Sequence, residues 1–190
     1  MPVVAIYLAA VVLLGSVWGC RRPERKSASY YKENRAAITR IRGYYDTLYR
    51  QQPFSAGFTD RSFKYYALEV ITDTVKYVYN TEKSEKQLYE TVLRFAYDTA
   101  MVKKLAKEMK GIRCLWVDKA FFYLQEKKEK ITFVSFRSVS VDKPFTENKY
   151  YILLFPDHPL DNPDLKTRAK KGGVVRIDDQ VYFMIGNNFR

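Results

Sequence analysis

The sequence predicts an α+β domain: an antiparallel β-sheet of about five to seven strands with two main helices packed on one face. Three observations carry this reading. Two segments, residues 30–51 and 84–110, repeat apolar residues three and four positions apart, which is the period of an amphipathic helix. From residue 112 onward the pattern turns to short alternating runs separated by turn residues, the mark of hairpin-linked strands. The composition is also rich in Tyr (16) and Phe (12). Such rings suit a sheet with one wet face, because the ring packs while the tyrosine hydroxyl stays hydrated.

The elements follow in order. In residues 30–51, Ile38, Ile41, Tyr45 and Leu48 form one apolar stripe, arginines cover much of the rest, and Pro53 stops the helix. Residues 62–80 read as a β-hairpin turning at Thr72-Asp73. Ser84 followed by Gln87 is a capping box that opens a single helix of about 26 residues, roughly 39 Å long. That helix is striped by Leu88, Val92, Phe95, Val102, Leu105 and Met109 and stopped by Gly111. Residues 113–124 and 131–138 form a hairpin around the charged turn Gln125 to Lys130. Residues 149–155 are an apolar strand with the character of a central one, and residues 156–171 a long loop with three prolines. A last hairpin joins residues 174–177 to 181–185 through Asp178-Asp179-Gln180.

The N-terminus carries the sharpest local pattern. An uncharged apolar run from Val3 to Trp18 is followed by Gly19-Cys20 and then by Arg21-Arg22-Pro23-Glu24-Arg25-Lys26. Val17-Trp18-Gly19-Cys20 resembles the processing site of bacterial lipoproteins, which runs roughly Leu, a small residue, Gly or Ala, then Cys. Gly19 and Cys20 match, Val17 is an accepted variant, and Trp18 departs from the small residue usual there. The resemblance, to the small lipoproteins of Gram-negative bacteria, covers residues 1–20 only. It implies that 1–19 is a signal peptide and that Cys20 is acylated; composition and length make 20–29 a basic linker and 30–190 a single domain. It also implies a periplasm-facing anchor, in the outer rather than the inner membrane. A different reading stays open. Residues 2–19 contain no Lys or Arg, whereas signal peptides usually carry positive charge ahead of the apolar run. A positive flank after that run marks the cytoplasmic side of an uncleaved membrane segment.

The net charge is +12. Residues 21–50 hold nine basic and three acidic side chains, which accounts for half of it. Basic residues beside a bilayer are drawn to anionic head groups by about 1 kcal/mol each, so Arg21, Arg22, Arg25 and Lys26 are expected to touch the membrane surface. Lipid plus a basic segment makes the two signals that stable attachment needs. Basic charge with many aromatics also fits nucleic-acid binding. Half of the charge is nevertheless explained by the membrane-proximal stretch, and no nucleic-acid motif is present, so nucleic acid is not an expected partner.

Few side chains suggest chemistry. His158 is the sole histidine, and the chain lacks a Gly-x-Ser-x-Gly elbow, paired zinc-type cysteines or a glycine-rich phosphate loop. No cofactor or metal is therefore expected. Ser135 and Arg137, on one face of a strand, are a candidate anion site. Asp157, His158, Asp161 and Asp164 offer oxygen ligands, but the spacing fits no established calcium loop, and Asp beside Pro or Asn is ordinary turn chemistry. Tyr44, Tyr45, Tyr65, Tyr66, Tyr77 and Tyr79 would make an aromatic surface if all faced outward, but strand alternation puts about half of them in the core. Cys114, in an apolar setting, is expected to be a buried thiol. The functional expectation is a lipid-anchored, non-enzymatic binding or assembly module with a protein or glycan partner. The alternatives are a membrane-anchored cytoplasmic adaptor and a small hydrolase or glycan-binding accessory protein.

Overall fold

A computed structural model describes residues 23–73, 76–82, 84–124, 127–138, 150–157 and 173–186. Among these are three helices and eight strands, and the fold is α+β with an open antiparallel sheet. The helices are α1 (Pro23–Gln51), α2 (Glu85–Arg94) and α3 (Thr99–Gly111). The strands are β1 (Phe54–Phe58), β2 (Tyr66–Ile71), β3 (Lys76–Asn80), β4 (Trp116–Leu124), β5 (Lys127–Ser138), β6 (Tyr150–Pro156), β7 (Val175–Asp178) and β8 (Val181–Gly186). Their order across the sheet is β3-β2-β1-β4-β5-β6-β8-β7, with every neighbouring pair antiparallel.

Helix α1 starts earlier than the apolar stripe predicts. Residues 23–29, expected as linker, are its first two turns. Pro23 brings a φ already set for the first helical position. The Ser27 hydroxyl donates to the Pro23 carbonyl at 2.8 Å, and Ser27 is wholly buried. The expected stripe then seats the helix, with Ile38, Ile41, Tyr45 and Leu48 all at most 1% exposed.

The single long helix expected over residues 84–110 is instead two. Helix α2 ends in a Schellman turn: the Tyr97 amide donates to Val92 O at 2.9 Å and the Ala96 amide to Leu93 O at 3.0 Å. Ala96 takes the left-handed conformation that this turn requires, with φ 58. Asp98 then caps α3, its carboxylate accepting from the amides of Ala100 and Met101. Helix α3 closes by the same device. Cys114 N donates to Met109 O and Arg113 N to Lys110 O, and Arg113 carries the left-handed φ of 54. Gly111, expected as the stop, is the last helical residue.

A non-glycine residue at a left-handed cap carries a steric cost that glycine lacks. Ala96 is exposed and has little packing to lose. Ala96→Gly should therefore raise stability by about 1 kcal/mol, or about 3 °C in a thermal melt of a chain this long. An unchanged or lowered melting temperature would contradict the geometry.

The hairpins follow the expected pairing with two differences. Strands β4 and β5 stay paired to Leu124↔Lys127, so residues 127–130, expected in a turn, belong to the ladder. Strand β1 was not expected. It pairs with β2 along its whole length, from Phe54↔Val70 to Phe58↔Tyr66, and meets β4 at Ala56↔Val117 and Gly57↔Trp116. At the last of these, a Cβ on Gly57 would collide with Leu115 O and the Trp116 ring. The loop between β1 and β2 is organised by Asp60, which accepts from the amides of Ser62, Lys64 and Tyr65. Burial works against its charge. The bonds from the Ser62 hydroxyl and those amides outweigh that and hold the carboxyl below its ordinary range.

All three helices share one core with the sheet. Ile41, Tyr45, Leu88, Val102 and Leu105 pack with Phe54, Leu68, Val117, Leu153 and Phe183. The other face bears a smaller apolar cluster of Ile131, Ile152, Leu154, Val174 and Tyr182. Strand β6 is thus buried on both faces from Tyr151 to Pro156, the central position its apolar run predicts.

Candidate functional site

Cys20, Arg21 and Arg22 lie outside the described residues. Arg25 and Lys26 stand exposed on the first two turns of α1. No described helix is long and apolar enough to cross a membrane.

Ser135 is buried at 1% exposure, paired across the ladder with Trp116 and Ile152. A register shift separates it from Arg137, interrupting the alternation on which a shared face rests. Phe136 between them packs toward the core, stacking on Tyr30 with ring centroids 4.0 Å apart. Of the proposed loop ligands, Asp157 is described, and it is ion-paired; His158, Asp161 and Asp164 lie outside the described residues. Among the described residues no three His, Cys, Asp or Glu side chains gather as a metal site would require. The tyrosines divide between core and partly covered positions, Tyr44 and Tyr45 on a helix and not on a strand. Tyr45 and Tyr66 are core, Tyr44, Tyr65 and Tyr79 are half-buried, and the Tyr77 side chain lies outside the described set. Cys114 is the buried thiol expected, its pKa pushed up to about 12 by burial, against a smaller lowering from a Trp116 backbone hydrogen bond; its thiol donates to the Trp116 carbonyl at 3.6 Å. A thiol so placed is a poor nucleophile.

Sequence reading missed two charge constellations. The first lies between α1 and the sheet. Lys119 of β4 is 9% exposed and puts its Nζ 2.9 Å from Asp46 of α1 and 3.4 Å from Asp157 at the end of β6. Arg42, one turn before Asp46, lies with its guanidinium 4.5 Å from the Phe155 ring centre. Burial lowers the Arg42 pKa, while Asp46 and Asp157 oppose that shift, and a guanidinium stays charged. Two cations and two carboxylates thus neutralise one another and clip α1 to β4 and β6. Their sequence separation hides them: Asp46 and Lys119 are 73 residues apart.

The second is the outer surface of the helical layer. Helices α1 and α3 lie side by side. The Tyr30 hydroxyl donates to the Ile112 carbonyl at 3.0 Å, and Arg40 forms a two-point bridge to Glu108 at 3.0 and 2.9 Å. Away from the sheet, α1 exposes Arg25, Lys26, Lys32, Arg40 and Arg50, while the exposed Arg35 approaches Asp178 of β7 at 3.9 Å. Helix α3 exposes Lys103, Lys104, Lys107 and Lys110, and Arg113 follows. Glu108, the sole acidic residue of α3, is engaged by Arg40, and Glu33 is the one fully exposed acid of α1. The arginine excess near the start of the chain is legible in the sequence. Its continuation across α3 is not, because adjacency of the two helices is a tertiary fact.

The chain matches no family model, no curated protein and no solved structure.

Proposed function

We propose that this chain is a lipid-anchored protein of the bacterial envelope, facing the periplasm and acting as a non-enzymatic binding or assembly module. The observation that carries the reading is the apolar run ending in Gly19-Cys20 directly ahead of α1. With α1 beginning at Pro23, an acyl group on Cys20 would sit at the foot of the domain's first helix. Arg21, Arg22, Arg25 and Lys26 would then meet anionic head groups beside it. The reading also accords with the reactive side chains that are described. Cys114 is buried, and Asp46 and Asp157 are committed to Lys119.

The test is the mass of the mature N-terminus together with fractionation of Cys20→Ala. The native chain should begin at Cys20 with added acyl mass, and the variant should lose lipid labelling and leave the membrane fraction. A variant that keeps its membrane association and its gel mobility would rule the lipid anchor out.

A second reading, an N-terminally anchored adaptor facing the cytoplasm, is favoured by one observation: residues 2–19 lack Lys and Arg while Arg21 to Lys26 are strongly basic. A reporter fused after Arg190 discriminates the two. Activity confined to the cytoplasm supports the adaptor, and activity confined to the periplasm excludes it.

A further inference from the structure

We infer that the domain lies flat on an anionic bilayer with its helical layer down, α3 supplying the contact farthest along the chain from the anchor. The inference rests on the chain being held to a membrane through its first twenty residues, and it holds for either side of that membrane.

Three observations lead to it. The first is charge placement. Helix α1 has seven basic and three acidic side chains, and α3 four and one, so these two elements carry a net +7 of the chain's +12. Apart from Arg42, these basic groups are exposed.

The second is the internal arrangement of α3. Lys103 and Lys107 are four residues apart, Lys104 and Lys107 three, and Lys107 and Lys110 three. Like charges at these spacings repel and destabilise a helix. Lys104, Lys107 and Lys110 have no ion-pair partner among the described residues. Lys110 falls in the last turn, where the helix dipole welcomes a cation, and Lys103 lies over the Tyr89 ring at 4.7 Å; that leaves Lys104 and Lys107 unexplained. A sheet of external negative charge offsets the repulsion of all four.

The third is proximity. Pro23 follows Cys20 by three residues, a reach of about 10 Å, so α1 starts at the bilayer surface. Helix α1 has 29 residues and is about 44 Å long. Standing upright it would lift its basic face out of reach of the head groups, since attraction fades within a Debye length of about 8 Å. Lying down, it brings α3 to the surface beside it. A polyanion such as DNA has the same charge, but the anchored first helix favours the membrane.

The test uses the full chain in vesicles of phosphatidylcholine alone, or of phosphatidylcholine mixed with phosphatidylglycerol. Both contain a head-group-linked quencher. One fluorophore is attached at Ala100→Cys, on the exposed start of α3. A control is attached at Ile71→Cys, on the sheet face turned away from the helices. Cys114 is buried and out of reach of the label, and Cys20, where it carries no acyl group, is removed as Cys20→Ser. The expected result is strong quenching at position 100 in the anionic vesicles and several-fold weaker quenching at position 71. High salt should abolish it, as should a variant with Lys103, Lys104, Lys107 and Lys110 all changed to Gln. That variant should be at least as thermally stable as the native chain, since the repulsion is gone, and should still sediment with vesicles.

Equal quenching in neutral vesicles, quenching that survives the four substitutions, or no preference for position 100 would overturn the inference. So would tight DNA binding, lost in the four-fold variant, without quenching. A chain that fails to stay with neutral vesicles refutes the anchor itself. In that case quenching on anionic vesicles still supports the helical contact surface, and its absence overturns both.

Discussion

Gly57→Ala is expected to cost about 3–4 kcal/mol, a large share of the 5–15 kcal/mol that holds most domains together. The new Cβ would meet Leu115 O and the Trp116 ring far inside contact distance, and the Trp116 Cα at 2.8 Å. A flexible side chain could swing aside, but a backbone carbonyl in a ladder cannot. Leu115 O accepts from Phe58 N at 2.7 Å, so moving it breaks a hydrogen bond worth about 1 kcal/mol. Overpacking itself adds about 1–3 kcal/mol. The damage falls on a weak point, since β1 and β4 are joined through only two residue pairs, Ala56↔Val117 and Gly57↔Trp116. Urea unfolding should show a lower midpoint with an unchanged slope. Shortening the indole in Gly57→Ala/Trp116→Leu should recover little, because the carbonyl clash remains. A loss below about 1 kcal/mol would show that the seam between β1 and β4 is looser than drawn.

Lys119→Ala is the second large effect, at about 2–3 kcal/mol. Removing one member of a buried ion group strands its partners, which costs about 3–5 kcal/mol when all are fully buried. Here Lys119 is 9% exposed while Asp46 and Asp157 are 35% and 33% exposed, so water tempers the penalty. Losing the cation also leaves two carboxylates facing one another and withdraws the ammonium that sits 5.6 Å from the Tyr49 ring centre. Lys119→Met keeps the apolar stem and should recover part of the packing but not the charge balance. Combined with Asp46→Asn, the losses should fall short of additive by at least about 0.5 kcal/mol, as expected for groups in direct contact. Additive losses would mean that the ammonium and the Asp46 carboxylate do not interact.

What the sequence revealed depended on range. The stripe of Ile38, Ile41, Tyr45 and Leu48 repeats within four turns of chain, and it located α1 and its buried face. The apolar run of β6 likewise announced a strand covered on both sides. The division between α2 and α3 was hidden because its pivot is Ala96, the best of helix formers, where a glycine would have marked the turn. The Asp98 cap is visible in retrospect. Strand β1, Phe-Ser-Ala-Gly-Phe, is buried at all five positions and has no polar alternation to betray it. The charge constellations rest on contacts between distant segments. Lys119 reads as one more polar residue in a strand until Asp46 and Asp157 are folded against it. The four lysines of α3 read as an ordinary solvated face until α1 is laid beside them.

The packing of Trp116 over Gly57 also gives the molecule an optical label of its own. The chain has two indoles, Trp18 and Trp116. A chain cut ahead of Cys20 retains only Trp116, at 1% exposure. Its emission should be blue-shifted when the sheet is intact and move to the red when the junction of β1 and β4 opens. On the proposed lipid-anchor reading, the chain before cleavage carries a second indole, Trp18. Under that proposal, cleavage ahead of Cys20 and integrity of the sheet can be followed in one emission spectrum.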